Sequence, residues 1–224
     1  MEDMRITMLC LAATVIAVCA LWGVPAGAVT WHVPGDAATI QAGIDSASAG
    51  DTVLVQAGTY YEHDIRMKSG VCLRSETGEA DCVTIDAQQQ DRVFYSRFVS
   101  GGARIVGFTI TGGSSFEGGG LYFLDNCSAA LENCIITGNS STGRGGGVCC
   151  YYNSSPMFVN CVISYNTGEG GGGLYCEANC APTFTGCSLT VNTATAGSGG
   201  AVSCFLFCSP VFNDCTFSGN TGST

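Results

Sequence analysis

Gly145-Gly146-Gly147-Val148-Cys149-Cys150-Tyr151 decides the fold, because its pattern returns at nearly constant spacing along the chain. Its counterparts are Gly118-Gly119-Gly120-Leu121-Tyr122, Gly171-Gly172-Gly173-Leu174-Tyr175 and Gly199-Gly200-Ala201-Val202-Ser203. Fourteen residues beyond Gly120, Gly147, Gly173 and Ala201 stand Cys134, Cys161, Cys187 and Cys215, and five further on stand Asn139, Asn166, Asn192 and Asn220. The period is 26 to 28 residues, and its variation is confined to the segment between asparagine and the next glycine cluster. A fixed period of this size is the signature of a solenoid.

Helical repeats need good helix formers with apolar residues three and four apart. These units are instead built from Gly, Ser, Thr, Asn and Val with two-residue alternation, as in Cys161-Val162-Ile163. Sandwich hairpins fit no better, because the segments are short and lack Asn-Gly turns. The pattern predicts an all-β fold, a right-handed parallel β-helix with a short N-terminal capping helix. Each coil supplies three short strands and stacks on the last at about 4.8 Å. Phe108, Cys134, Cys161, Cys187 and Cys215 then form one inward column, and Leu131, Phe158, Phe184 and Phe212 another. Glycine serves the bends. The asparagines form a ladder, with left-handed backbone that asparagine tolerates and amides bonded coil to coil.

Working outward, Ile40, Ile44 and Ala47 recur at helical spacing and predict the cap, followed by short strands from Thr52-Val53-Leu54-Val55 onward. Residues 29–104 therefore read as cap and first coils, and 105–224 as repeat coils cut short at the C-terminus. Residues 1–28 read as a signal peptide: no charge interrupts Ile6 to Gly35, and a small-x-small triplet ends at Ala28. The alternative is a retained membrane anchor. Cleavage leaves no membrane span and places 13 cysteines in an oxidising compartment. With one lysine, seven arginines and a net charge of −10, the chain lacks the clustered cations that nucleic acid requires. Its 46% hydrophobic content excludes disorder.

The entry from Ala38-Thr39-Ile40-Gln41-Ala42-Gly43-Ile44-Asp45 through Gly50-Asp51-Thr52-Val53 to Gly58-Thr59-Tyr60 resembles that of pectin-lyase-like β-helix proteins. The alternation of Gly-Gly-Leu-Tyr and its variants with Phe217-Ser218-Gly219-Asn220 and its equivalents is similar to the repeats of polymorphic outer-membrane proteins. The resemblance covers roughly residues 29 to 224. It implies a secreted or surface protein, and it implies no single function, because the fold hosts lyases, hydrolases, adhesins and stalks.

Two further cysteine columns follow the glycine clusters. Cys150, Cys176 and Cys204 share one with Phe123; Cys127, Cys180 and Cys208 share the other with Ser154. The expected disulfides are Cys176 with Cys180, Cys204 with Cys208, and Cys127 with Cys150, while Cys72 and Cys82 flank a loop and could bridge. The column of Cys134, Cys161, Cys187 and Cys215 reads as packed thiols, because vertical Cβ separations near 4.8 Å exceed the usual disulfide range of about 3.5 to 4.5 Å. No histidine follows His63 and no paired Cys-x-x-Cys knuckles occur, so no metal site is expected.

Catalysis of the lyase type needs a base and acidic calcium ligands on one face. From Ile105 onward the only base is Arg144, and Asp125 and Glu177 are at best loosely paired. Glu62, His63, Asp64, Arg66 and Lys68 read as a solvated edge beside the first coil. Two and four residues past the glycine clusters the alternation turns Tyr122, Tyr151, Tyr175, Glu177 and Phe205 outward, with Tyr152 adjoining. The expectation is therefore an exported, non-catalytic module that binds an extracellular glycan or protein surface through these residues, without cofactor. A polysaccharide lyase or glycoside hydrolase acting on acidic polysaccharide, with calcium under the lyase reading, is the alternative. An uncapped last coil also offers end-to-end association.

Overall fold

A computed structural model describes residues 27–196 and 199–223. The expected signal segment, up to residue 26, lies outside the described residues. The chain winds as a parallel solenoid with eight-, seven-, five- and six-stranded sheets, each built from successive coils. One coil runs Ala130–Glu132, Ile135–Thr137, Ser140–Arg144 and Val148–Tyr151, and Met157–Val159 then lands in register on Ala130–Glu132.

Each repeat coil thus carries four strands where three were expected. The fourth arises after the asparagine bend, where Ser140–Arg144, Thr167–Gly168 and Thr193–Ala194 stack as a narrow extra sheet. The first two coils have no such segment and keep three, as in Thr52–Val55, Gly58–Tyr60 and Ile65–Arg66.

Identical positions do lie above one another. The rings of Phe158 and Phe184 stack at 4.5 Å and 5°, and those of Phe184 and Phe212 at 4.8 Å and 17°. Facing them is the column of Phe123, Cys150, Cys176 and Cys204. The two columns complement each other in volume: the coil with Phe123 is followed by Leu131, and those with cysteine by phenylalanine. Cysteine here is a small side chain that leaves room for a ring.

The asparagine ladder forms, with one correction. The left-handed backbone belongs to the residue before each rung, Gly138, Tyr165, Val191 and Gly219 at φ of 65°, 55°, 55° and 63°. The asparagines themselves turn inward and are buried at 139, 166 and 192. At the glycine clusters, Gly145 has φ 65°, and a Cβ on Gly147 would stand 2.8 Å from the Gly173 carbonyl oxygen of the next coil.

The capping helix spans Ile40–Ser46. Thr39 accepts the Ala42 N–H through Oγ1 at 3.1 Å, and both Glu62 carboxylate oxygens receive helix N–H groups, from Ile40 at 2.7 Å and Gln41 at 3.0 Å. Lys68 Nζ donates to the Asp45 and Ala47 carbonyls at the other end. Two residues of the expected solvated edge are therefore helix caps, where opposite charges suit the helix dipole. Gly43 lets the helix lie close, since a Cβ there would stand 2.8 Å from Val53 Cγ1.

Candidate functional site

The outward face of the six-stranded sheet carries the residues singled out from sequence. Its strands from the second coil onward are Phe94–Arg97, Leu121–Leu124, Val148–Tyr151, Leu174–Glu177 and Val202–Phe205. In-register pairing makes one column of Tyr95, Tyr122, Cys149, Tyr175 and Ser203, and beside it another of Arg97, Leu124, Tyr151, Glu177 and Phe205.

Much of this face is covered, against expectation. Tyr122, Tyr175 and Glu177 are only 7%, 8% and 6% exposed. Arginines from just outside the sheet lie across the rings: Arg92, before Phe94–Arg97, is 4.9 Å from the Tyr122 centroid, and Arg144, at the end of Ser140–Arg144, is 5.5 Å from that of Tyr151 and 5.6 Å from that of Tyr175. Glu177 is held from several sides. Its Oε2 accepts Tyr175 Oη at 2.7 Å and lies 3.2 Å from Arg144 Nη1; its Oε1 accepts Tyr151 Oη at 3.3 Å. The same Nη1 is 3.3 Å from Glu117 Oε1. Burial, then the bond to Glu177, pushes the Tyr175 phenol well above its ordinary range, and burial with Glu117 does the same for Tyr122. Of the remaining expected residues, Tyr151 is half-buried, while Tyr152 and Phe205 are exposed. Asp125 does not join Glu177; it pairs with Arg97 at 2.7 Å.

The open part of the face lies toward the cap, in residues that repeat counting passed over. A hollow of about 390 Å³ is lined by Arg66, Met67, Tyr95, Arg97 and Phe98. A second of about 340 Å³ is lined by Asp64, Arg66, Arg92, Tyr95 and Tyr122. The second coil has no glycine cluster, so only structural register puts Tyr95 beneath Tyr122. Phe98 is exposed with φ 56°, an unusual backbone for a bulky residue.

The cysteines are placed differently from expectation. All thirteen described cysteines are free thiols, and none of Cys176 with Cys180, Cys204 with Cys208, Cys127 with Cys150 or Cys72 with Cys82 is joined. The reason lies in the columns. Cys180 Sγ donates to the Glu177 carbonyl at 3.2 Å, and the Cys180 N–H donates to Cys208 Sγ at 3.2 Å. Ser154 does the same work with Oγ, donating to the Tyr151 carbonyl at 2.8 Å and accepting the Cys127 N–H at 3.2 Å. The column of Cys127, Ser154, Cys180 and Cys208 is thus a hydrogen-bond relay at the bend. Cys150, Cys176 and Cys204 stack in register as a separate column. Cys82 Sγ lies 2.8 Å from Thr77 Oγ1 within its own loop. Among the described residues, no three His, Cys, Asp or Glu side chains are grouped to hold a metal ion.

Comparison with known proteins agrees with this architecture. A family described as "Right handed beta helix region" matches residues 66–224. No curated protein matches, and no solved structure does.

Proposed function

The chain belongs to the right-handed β-helix family, and from that premise we propose that it is an exported, non-catalytic surface module that binds a glycan or protein partner outside the cell. The observation that carries this reading is a fringe of exposed aromatic side chains along one border of the six-stranded sheet. Phe98, Tyr152 and Phe205 are 59%, 48% and 58% exposed, although the rings between them are covered. Aromatic faces at a rigid edge suit sugar rings and protein surfaces alike. On this face the carboxylates of Glu117 and Glu177 are both engaged by Arg144, and Glu177 also by tyrosine hydroxyls, which supports binding over proton transfer.

Glycan arrays and pull-down from extracellular matrix test this. Tyr152→Ala with Phe205→Ala is expected to abolish the strongest contacts of the chain while leaving its melting temperature unchanged; unaltered binding would remove the reading. The enzymatic alternative, a polysaccharide lyase or glycoside hydrolase, draws on Glu117 and Glu177 sharing one guanidinium nitrogen. Depolymerisation of an acidic polysaccharide that disappears in Glu177→Gln would favour it.

A further inference from the structure

We infer that the two adjoining hollows around Tyr95 form a binding site for a glycan carrying sulfate or carboxylate groups. This deepens the proposed surface-binding role and rests on it. The donors point to an anion: three arginines, Arg66, Arg92 and Arg97, line the hollows, each held on one side by an aspartate, Asp64, Asp91 or Asp125, with the rest of its guanidinium left over. Three of the seven arginines of the chain gather here. The hollows share Arg66 and Tyr95, so one extended ligand can occupy both.

The guanidiniums are preorganised with donors to spare. Arg66 and Arg92 each lie 5.5 Å from the Tyr95 centroid, and Arg97 lies 4.9 Å from that of Phe98. Arg66 spends Nε and Nη2 on Asp64, Arg97 spends Nε on Asp125, and Arg92 spends Nε on Asp91 and Nη2 on Ser115. Among the described residues, Nη1 of each makes no hydrogen bond. Planar forks of this kind match the oxygens of sulfate and carboxylate. Tyr95 and the exposed Phe98 supply ring faces for the sugar, and Phe98 keeps a left-handed backbone that holds its ring at the rim.

The test uses the whole chain on three supports with one backbone: dextran, carboxymethyl-dextran and dextran sulfate. Retention on one or both anionic supports, weakening as salt rises, and none on dextran is the expected result; which support is held identifies carboxylate or sulfate. Arg66→Gln is expected to weaken retention about tenfold, and Arg66→Gln with Arg92→Gln further. Arg104→Gln removes the same charge from a different sheet and is expected to change nothing. Equal retention on all three supports, or an equal loss in Arg104→Gln, overturns the site. Failure on every support, with glycan or protein binding through Tyr152 intact, overturns this site and leaves the broader reading standing.

Discussion

Asn166 and Asn192 are joined twice: Oδ1 of Asn192 accepts both the Asn166 backbone N–H at 3.1 Å and its Nδ2 at 3.0 Å. The same Nδ2 donates upward to the Ile136 carbonyl at 2.9 Å, so one side chain ties three coils. Both residues are fully buried, where the bonds have no competition from water.

Asn166→Ala is therefore expected to lower stability by about 2–4 kcal/mol, since it leaves the buried Asn139 N–H without its acceptor and removes the bonds from Asn139 Nδ2 and to the Ile136 carbonyl. Urea denaturation followed by circular dichroism measures the loss. Amide exchange should accelerate most at residues 139 and 166, and unchanged protection there would show that the rung is dispensable.

The facing columns of ring and thiol predict a coupled pair. Cys150→Phe should overpack the core by about 1–3 kcal/mol, and Phe158→Leu alone should leave a gap costing about 1–2 kcal/mol. The double substitution reproduces the combination already present at Phe123 and Leu131, so it is expected to recover at least about 1 kcal/mol of the summed loss. Strict additivity in a double-mutant cycle would contradict the complementarity of the columns.

The relay column makes a different demand. Cys180→Ser keeps the side-chain bond to the Glu177 carbonyl, as Ser154 keeps its bond to the Tyr151 carbonyl one coil earlier, and should cost under about 1 kcal/mol, whereas Cys180→Ala loses that buried bond and leaves a gap and should cost about 1–3 kcal/mol. Burial pushes the Cys180 thiol up to about 12, and it stays a protonated donor at neutral pH. Peptide mapping without reductant is expected to find Cys127, Cys150, Cys176, Cys180, Cys204 and Cys208 unpaired. A bridge between Cys176 and Cys180 would mean the relay does not form.

Alkaline pH should act through the covered tyrosines. The folded state holds the Tyr122 and Tyr175 phenols neutral by burial and by their glutamate partners. Unfolded tyrosine ionises near pH 10, so above that the unfolded chain binds fewer protons than the folded one. The stability from these two groups is complete below about pH 10 and is lost as pH rises beyond it. Tyrosinate absorbance at 295 nm should show Tyr122 and Tyr175 titrating last, and Tyr175→Phe should lessen the alkaline loss.

The repeat period, the parallel stacking, the inward columns of Phe158 and Cys161 and the ladder at Asn139, Asn166, Asn192 and Asn220 were all legible in the sequence. A solenoid makes them so, because a one-dimensional stack turns sequence register directly into vertical contact. What lies across a coil, or arrives from outside a sheet onto its face, has no such register. That Arg92 and Arg144 cover the tyrosines, that Glu62 and Lys68 cap the helix, that cysteines relay hydrogen bonds instead of pairing, and that Tyr95 continues the aromatic column were decided by tertiary structure alone. Alternation tells which side of a strand a residue faces. Only packing determines whether that side meets water or a long flexible side chain from elsewhere.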